Sequence, residues 1–155
     1  MTDGSNGAGP LAGLTLIDFG QYLAGPFGPM ILADLGMDVI KVEPATGDGM
    51  RMAGKPFFGC QRGKRDIALN VKTPEGHELA MELVRRADAV HHNMTKGTAA
   101  KLGIDYEACK AVKPDLVYCS ISGYGQTGPW RDRAALAHVV HATSGLMHLE
   151  RGATE

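Results

Sequence analysis

Short apolar runs alternate with segments of helical character along this chain. Five apolar or β-branched runs predict strands over residues 14–19, 38–43, 67–71, 88–93 and 116–122. Capped or periodic segments predict helices over residues 26–35, 74–87, 98–102, 106–112 and 134–149. Strands that alternate with helices favour parallel pairing through right-handed crossovers. We therefore predict a layered α/β fold with a mainly parallel sheet and flanking helices.

The segments between these elements set the expected domain limits. Residues 44–60 are interrupted by glycine and proline, so we predict a loop there. Residues 1–10 are polar and rich in glycine, which is typical of a flexible leader. The chain has 155 residues, of which 44% are hydrophobic, enough for one domain with a real core. We predict that residues 11–155 form that domain.

The balance of charges and the spacing of cysteine and histidine residues disfavour several classes of function. The chain has 16 basic and 17 acidic residues, and this near balance argues against a general nucleic-acid binder. No run is long and apolar enough for a membrane span, so we expect no membrane partner. The three cysteines have no paired spacing and the histidines have no HxxxH spacing, so we predict no metal site and a reducing cytoplasm.

One basic cluster, Arg62-Gly63-Lys64-Arg65, lies just before the predicted third strand. Arginine binds phosphate through two parallel hydrogen bonds, lysine adds a point charge, and glycine lets the backbone approach closely. The cluster therefore suits a small polyanion such as a nucleotide or coenzyme A. The alternative interpretation is a solvated surface charge run.

Glycine-rich loops follow three predicted strands, over residues 20–26, 93–97 and 123–129. Ligands of open parallel sheets bind beyond the carboxyl ends of the strands. Glu43 closes the second strand where a ribose-binding acid of a dinucleotide fold would lie, but the glycines do not have GxGxxG spacing. The sequence also lacks the P-loop motif and the GxSxG motif, which disfavours a P-loop NTPase and an α/β-hydrolase.

Several short segments occur in an order that resembles a known family. They cover residues 14–19, 24–26, 33–36, 39–43, 63–65, 68–76 and 120–129. Together they resemble the N-terminal part of class III CoA-transferases, the family that also includes α-methylacyl-CoA racemases. The resemblance extends from about Leu11 to Met147.

The resemblance implies a Rossmann-like domain that binds coenzyme A or acyl-CoA, in a dimer of interlocked chains. It implies transfer of CoA between carboxylic acids through an aspartyl-CoA thioester, or proton exchange beside the thioester in the racemase branch. The positions that it implies as CoA contacts are Lys64, Arg65, Asn93, Lys101 and Tyr124. From the residues alone, Asn93 could instead cap a turn, Tyr124 could pack, and Lys101 could be solvated.

The chain also departs from the family pattern. The resemblance implies a nucleophilic aspartate shortly before Ser144-Gly145, but alignment there places Ala137 at its position. We interpret His138 and His141 as ordinary helix residues. The catalytic residue is therefore unknown, and we expect either a homodimer or an unequal dimer with a chain that supplies the aspartate. A non-catalytic CoA-ester-binding or scaffold subunit, a racemase-like enzyme and a generic dinucleotide-binding module stay open as alternatives.

Overall fold

The computed structural model describes residues 9–152, except for the side chain of residue 152. The first eight residues of the predicted leader lie outside this part of the chain. The chain divides into two compact units, Met1–Ile121 and Ser122–Glu155, and each is described by itself.

The first unit contains a five-stranded sheet whose strand pairs are all parallel, in the order β3-β2-β1-β4-β5. This arrangement confirms the predicted fold class, an α/β fold with a parallel sheet. The strands are β1 (Thr15–Asp18), β2 (Asp38–Glu43), β3 (Lys64–Ala68), β4 (Ala89–His92) and β5 (Val117–Ser120).

Five α-helices belong to the described part of the first unit, together with one 3-10 helix at Gly49–Ala53. The helices are α1 (Phe27–Asp34), α2 (Lys55–Gln61), α3 (Pro74–Arg85), α4 (Thr98–Lys101) and α5 (Tyr106–Val112). The start of α3 shows why the sequence pattern works: the Thr73 side chain accepts the Gly76 N–H, and Pro74 occupies the first turn. Among the described residues, none of the helices combines the length and the apolar character that crossing a bilayer requires.

The predicted loop over residues 44–60 is wrong, because this segment contains the 3-10 helix and α2. Asp48 caps the 3-10 helix by accepting the Met50 N–H. Gly54, at φ +65°, turns the chain, and a proline in the first turn of α2 then starts the second helix. The glycine and proline residues therefore mark helix ends within this segment.

The third strand was predicted over residues 67–71, but it begins three residues earlier, at Lys64. Its register with β2 pairs Lys64 with Val39 and Ala68 with Glu43. β3 is an edge strand, and charged residues are common on such strands because they discourage pairing with other chains. The basic cluster thus lies partly within the strand, at its amino-terminal end.

The two faces of the sheet carry separate apolar cores. Ile17, Val42 and Val90 pack with buried residues of α3 and α5 on one face. Leu16 and Val39 pack with residues of α1 on the other. Neighbouring residues of a strand point to opposite faces, so a strand buried on both faces reads as the continuous apolar run seen in residues 14–19.

The second unit contains α6 (Ala137–Thr143) and α7 (Leu146–Gly152). We predicted one helix over residues 134–149, and this was wrong. Gly145 has φ +80° between the two helices, a conformation that glycine adopts without the strain of a side chain.

Candidate functional site

A cavity of about 440 Å³ lies at the carboxyl edge of the sheet. Its walls come from segments that end or follow β1, β2, β3 and β4, and from α4 and the residues after it. They are Phe19, Gln21, Tyr22, Val42, Glu43, Pro44, Leu69, Asn70, Val71, Lys72, Asn93, Met94, Thr95, Thr98, Leu102 and Ile104. Small-molecule sites typically have this size, and parallel sheets bind their ligands at this edge.

The loop between β1 and α1 forms one wall, and side chains from elsewhere hold its backbone. The Asn93 side chain accepts the Gln21 N–H at 2.8 Å and donates to the Gln21 carbonyl at 3.0 Å. Gly25 leaves room for this amide, since a Cβ there would lie 2.6 Å from it. Asn93 therefore has a structural role in the loop and also lines the cavity.

A buried ion pair holds the same loop from the β2 side. Lys41 and Asp48 are both almost fully buried, and their charged atoms lie 2.9 Å apart. Lys41 Nζ also donates to the Gly20 carbonyl at 2.6 Å, and both oxygens of Asp48 accept the Tyr22 N–H at 3.2 Å. Buried charges are stable only when they are paired and hydrogen-bonded, and this pair meets both conditions.

Glu43, the acidic residue in the cavity wall, accepts hydrogen bonds at both carboxylate oxygens. Its carboxylate accepts two hydrogen bonds from Arg51, at 2.7 and 2.9 Å, and one from the Asp48 N–H at 3.0 Å. This bidentate geometry is the strongest form of carboxylate pairing. Both Glu43 oxygens therefore already accept hydrogen bonds within the protein, which makes Glu43 a poor acceptor for a ribose hydroxyl.

Lys72 is the basic residue of the cavity wall, and our sequence analysis did not single it out. It is exposed, and within residues 9–152 its ammonium forms no ion pair. Its backbone N–H donates to the Asn70 side chain at 3.2 Å, a turn that carries the chain from β3 towards α3. Two signals pointed to it: its place just beyond a strand end, before the Thr73 cap, and its inclusion in the resemblance segment over residues 68–76.

Lys64 lies inside the protein rather than on its surface. Its side chain is 1% exposed, and Nζ lies 2.9 Å from Asp18 Oδ2 and 2.8 Å from the Pro26 carbonyl. Burial lowers the pKa of the Lys64 ammonium, and the charge of Asp18 opposes this shift. For Asp18, burial favours the protonated form, but hydrogen bonds and charges from His91 and Lys64 hold its pKa below the usual value.

The other two cations of the cluster also have acidic partners. Arg62 Nε donates to Asp34 at 3.1 Å, and Arg65 Nε donates to Asp38 at 3.0 Å. Both arginine side chains are more than half exposed. Lys64 and Arg65 are neighbours in β3, so they point to opposite faces of the sheet and do not form one basic surface.

Two histidines at the end of β4 are buried. His91 Nδ1 lies 3.0 Å from Asp18 Oδ1, while its Nε2 has no hydrogen-bond partner in the described structure. His92 Nδ1 accepts the Met94 N–H at 3.1 Å, and its ring meets Tyr118 edge-on. Burial, followed by the charge of His91, lowers the pKa of His92 to about 4, so His92 is neutral at neutral pH.

Comparison with known proteins identifies the family to which this chain belongs. The family described as CoA-transferase family III matches residues 11–155. The chain belongs to this family. The resemblance drawn from the sequence is thereby confirmed.

The relatives are named CoA-transferases. A succinate–glutarate CoA-transferase of Agrobacterium fabrum is 43% identical over 96% of this chain and 41% of its own length. The beta subunit of a succinyl-CoA–L-malate CoA-transferase of Chloroflexus aurantiacus is 36% identical over 95% of this chain and 38% of its own length. This chain therefore spans about two fifths of the relatives that it matches.

Solved structures support the fold assignment. The crystal structure of a CAIB/BAIF family protein from Brucella suis is 42% identical, with a TM-score of 0.85. The match covers 90% of this chain and 40% of that chain.

The remaining predicted contacts of this family member lie in different places. Lys101 is the exposed last residue of α4, three positions after Thr98 of the cavity wall, so the two residues are neighbours on the helix surface. Tyr124 belongs to the second unit, where its ring packs edge-on against Trp130 with centroids 5.4 Å apart. That ring contact fits the packing alternative, and the predicted CoA contact stays a prediction.

Ala137, at the position implied for the nucleophile, is the exposed first residue of α6. His138 and His141 are exposed on the same helix. Within the described ranges, no group of three or more His, Cys, Asp and Glu side chains is arranged to hold a metal ion.

Proposed function

We propose that the cavity binds the nucleotide part of a CoA thioester. We further propose that the chain is the CoA-binding part of a class III CoA-transferase, which moves CoA between two carboxylic acids. The observation that carries this proposal is the cavity of about 440 Å³ at the carboxyl ends of four parallel strands, in a chain of this family.

The charges around the cavity support a polyanionic ligand. CoA carries several phosphate charges, and Lys72 supplies a cation in the wall that forms no ion pair with residues 9–152. Lys101 adds a second exposed cation next to Thr98 on α4. The acid of the wall, Glu43, is neutralised by Arg51. Arg51 also pairs with Asp66, so this group of three side chains is not cationic, and Lys72 and Lys101 supply the positive charge that an anion meets.

The contacts predicted at Lys64, Arg65, Asn93 and Tyr124 stay predictions, and the geometry favours some of them over others. Asn93 lines the cavity and is supported directly. Arg65 lies at the amino-terminal end of β3, whereas Lys72 follows the carboxyl-terminal end of the same strand. Lys64 would have to leave Asp18, which would then be a buried charge without its cation. We therefore rank Lys72 above Lys64 and Arg65 as the phosphate contact.

We propose that the carboxylate that forms the aspartyl-CoA thioester comes from outside these 155 residues. Alanine at position 137 cannot form an acyl anhydride or a thioester. The relatives are more than twice as long as their match to this chain, and one of them is the subunit of a two-subunit enzyme. A longer polypeptide, a second copy or a homologous partner chain could each supply the group. The proposed location is the cytoplasm.

Calorimetry on the protein tests the proposal, with CoA and NAD as the two probes. We expect CoA to bind and NAD to bind much more weakly, because both Glu43 oxygens already accept hydrogen bonds from Arg51, which disfavours a contact with the free ribose diol of NAD. Lys72→Ala should weaken CoA binding about tenfold through the loss of one charge-assisted contact. Lys55→Ala is the matched control, since Lys55 is an exposed lysine of α2 outside the cavity. Tighter binding of NAD than of CoA would contradict the proposal.

A non-catalytic CoA-ester-binding subunit is the second candidate, and Ala137 is the observation that favours it. Incubation with an acyl-CoA, followed by hydroxylamine, traps an enzyme thioester as a hydroxamate. A hydroxamate formed on the partner chain alone would support the binding-subunit role. A hydroxamate formed on this chain would show that one of its own carboxylates is the nucleophile, and would contradict both the binding-subunit role and the proposal of an outside carboxylate. A hydroxamate that Ala137→Asp forms and the parent does not would support the alignment at this position.

A further inference from the structure

Tyr22 has an unusual backbone conformation. It is the only non-glycine residue with a positive φ between residues 9 and 152, at +61°. A bulky side chain in this left-handed region strains the backbone, and such strain persists only where the surrounding structure holds it. Strained residues of this kind cluster at ligand sites, and Tyr22 lines the cavity.

Three consecutive residues of this loop are held by buried or half-buried side chains. Gly20 is held at its N–H by Asp18 and at its carbonyl by Lys41. Asn93 holds the following residue, Gln21, at both its N–H and its carbonyl. The N–H of Tyr22 then donates to the buried carboxylate of Asp48. The backbone of all three residues, up to and including Tyr22, is therefore fixed by hydrogen bonds to side chains.

None of these contacts uses the Tyr22 side chain itself. The residue is 59% exposed, and in the described part of the chain its phenol oxygen forms no hydrogen bond. The ring lies over Gly49, where an added Cβ would come within 2.8 Å of the phenol oxygen. Gly49 does not have a positive φ, so the backbone there does not require glycine. A glycine at this position instead leaves room for the Tyr22 ring. The ring therefore packs over Gly49 but leaves most of its surface exposed, so the packing gained from the strained conformation is small.

We propose that Tyr22 contacts the ligand, and that its ring packs against the bound CoA ester at the cavity wall. Asp48 is the positioning residue that holds the tyrosine backbone in its left-handed conformation. This inference rests on the CoA-binding function proposed above, and it adds a contact that the sequence motifs do not indicate. An aromatic ring offers a large rigid contact area with few rotatable bonds, which suits this role.

Calorimetry with CoA and urea denaturation together test the inference. Tyr22→Gly removes the ring and relieves the strain, because glycine adopts positive φ readily. We expect CoA affinity to fall about tenfold, the usual effect of losing one aromatic contact, while the urea midpoint does not fall. Tyr22→Phe keeps the ring and should bind CoA within about twofold of the parent. A purely structural tyrosine would instead lower the urea midpoint and leave CoA affinity unchanged.

A double-mutant cycle with Gly49 sharpens the test. Gly49→Ala should push the ring aside and weaken CoA binding in the parent, but have no further effect in Tyr22→Gly. Phe58→Ala is the control, since it removes an exposed ring of α2 that does not line the cavity.

Three outcomes separate the inference from the proposed function. If the parent binds CoA and Tyr22→Gly binds it equally well, the inference is overturned while the proposed function stands. Equal losses in Tyr22→Phe and Tyr22→Gly would also overturn the ring contact. If the parent fails to bind CoA, the proposed function itself fails.

Discussion

Two basic regions of the first unit differ in whether their cations already form ion pairs with acidic side chains. In the cluster Arg62–Arg65 each cation has an aspartate partner, and Lys64 lies inside the protein. Lys72 follows the other end of the same strand, in a cavity wall, without an ion pair among the described residues. A dense run of cations in a sequence therefore need not be an anion site. The position of a cation relative to strand ends and acids determines its availability.

Breaking the buried member of the cluster should have the largest effect. Within the described part of the chain, Lys64→Met leaves the buried Asp18 carboxylate with His91 and the Gly20 N–H as partners, so we expect the free energy of unfolding to fall by about 3 kcal/mol. Urea denaturation measures this loss. The double variant Lys64→Met/Asp18→Asn should recover much of it, because the unpaired charge is then removed. A loss below about 0.5 kcal/mol would show that Lys64 behaves as a surface residue.

Acid pH should affect stability through His92, beside the cavity. Its pKa is about 4 in the folded protein, against an ordinary value of 6.5. Between these values the unfolded chain binds a proton that the folded protein does not, so stability is complete above pH 6.5 and falls towards pH 4. The shift corresponds to a loss of about 3 kcal/mol at most.

The matched variant for this prediction is His92→Asn, which keeps an acceptor for the Met94 N–H and removes the titration. Urea midpoints of the two proteins should differ in slope between pH 6.5 and pH 4. Parallel pH profiles would contradict a neutral, buried His92. The lowered pKa of Asp18 acts at more acidic pH, so its contribution falls outside this window.

The more exposed arginine of the cluster, Arg65, should show the smallest effect. Arg65→Met removes one surface ion pair with Asp38, so we expect stability to change by less than about 0.5 kcal/mol. CoA affinity should stay within about twofold of the parent, because Arg65 lies at the amino-terminal end of β3. Urea denaturation and calorimetry test the two parts. A tenfold weaker CoA complex would restore the original interpretation of the cluster as the phosphate site.

The sequence pattern predicted elements best where one local signal dominates. β2 occupies Asp38–Glu43, as predicted, because its β-branched residues lie between the breaks at Gly36 and Pro44. The start of β3 was missed because Lys64 and Arg65 are charged, and only pairing with β2 makes them part of the strand. The 3-10 helix and α2 were missed because their glycine and proline residues at helix ends resemble those of a loop.

The candidate site could be predicted in part. The rest depends on contacts between residues that are far apart in the sequence. Strand ends and glycine-rich loops indicated the correct edge of the sheet, and Asn93 does line the cavity there. The Asp18 partner of Lys64 is 46 residues away in sequence, so local patterns could not reveal the pairing. Lys72 and Tyr22 lie in segments that the sequence indicated, residues 68–76 and 20–26, but no motif gave either side chain a role, and the strand register and one loop conformation bring them to the same cavity.

A crystal structure of this protein with bound CoA tests the central claim most directly. The account predicts that the nucleotide part of CoA occupies the cavity between Lys72, Asn93 and Thr98, while Lys64 keeps its contact with Asp18. Phosphates bound to Lys64 and Arg65, with the cavity at the carboxyl edge left open, would contradict it.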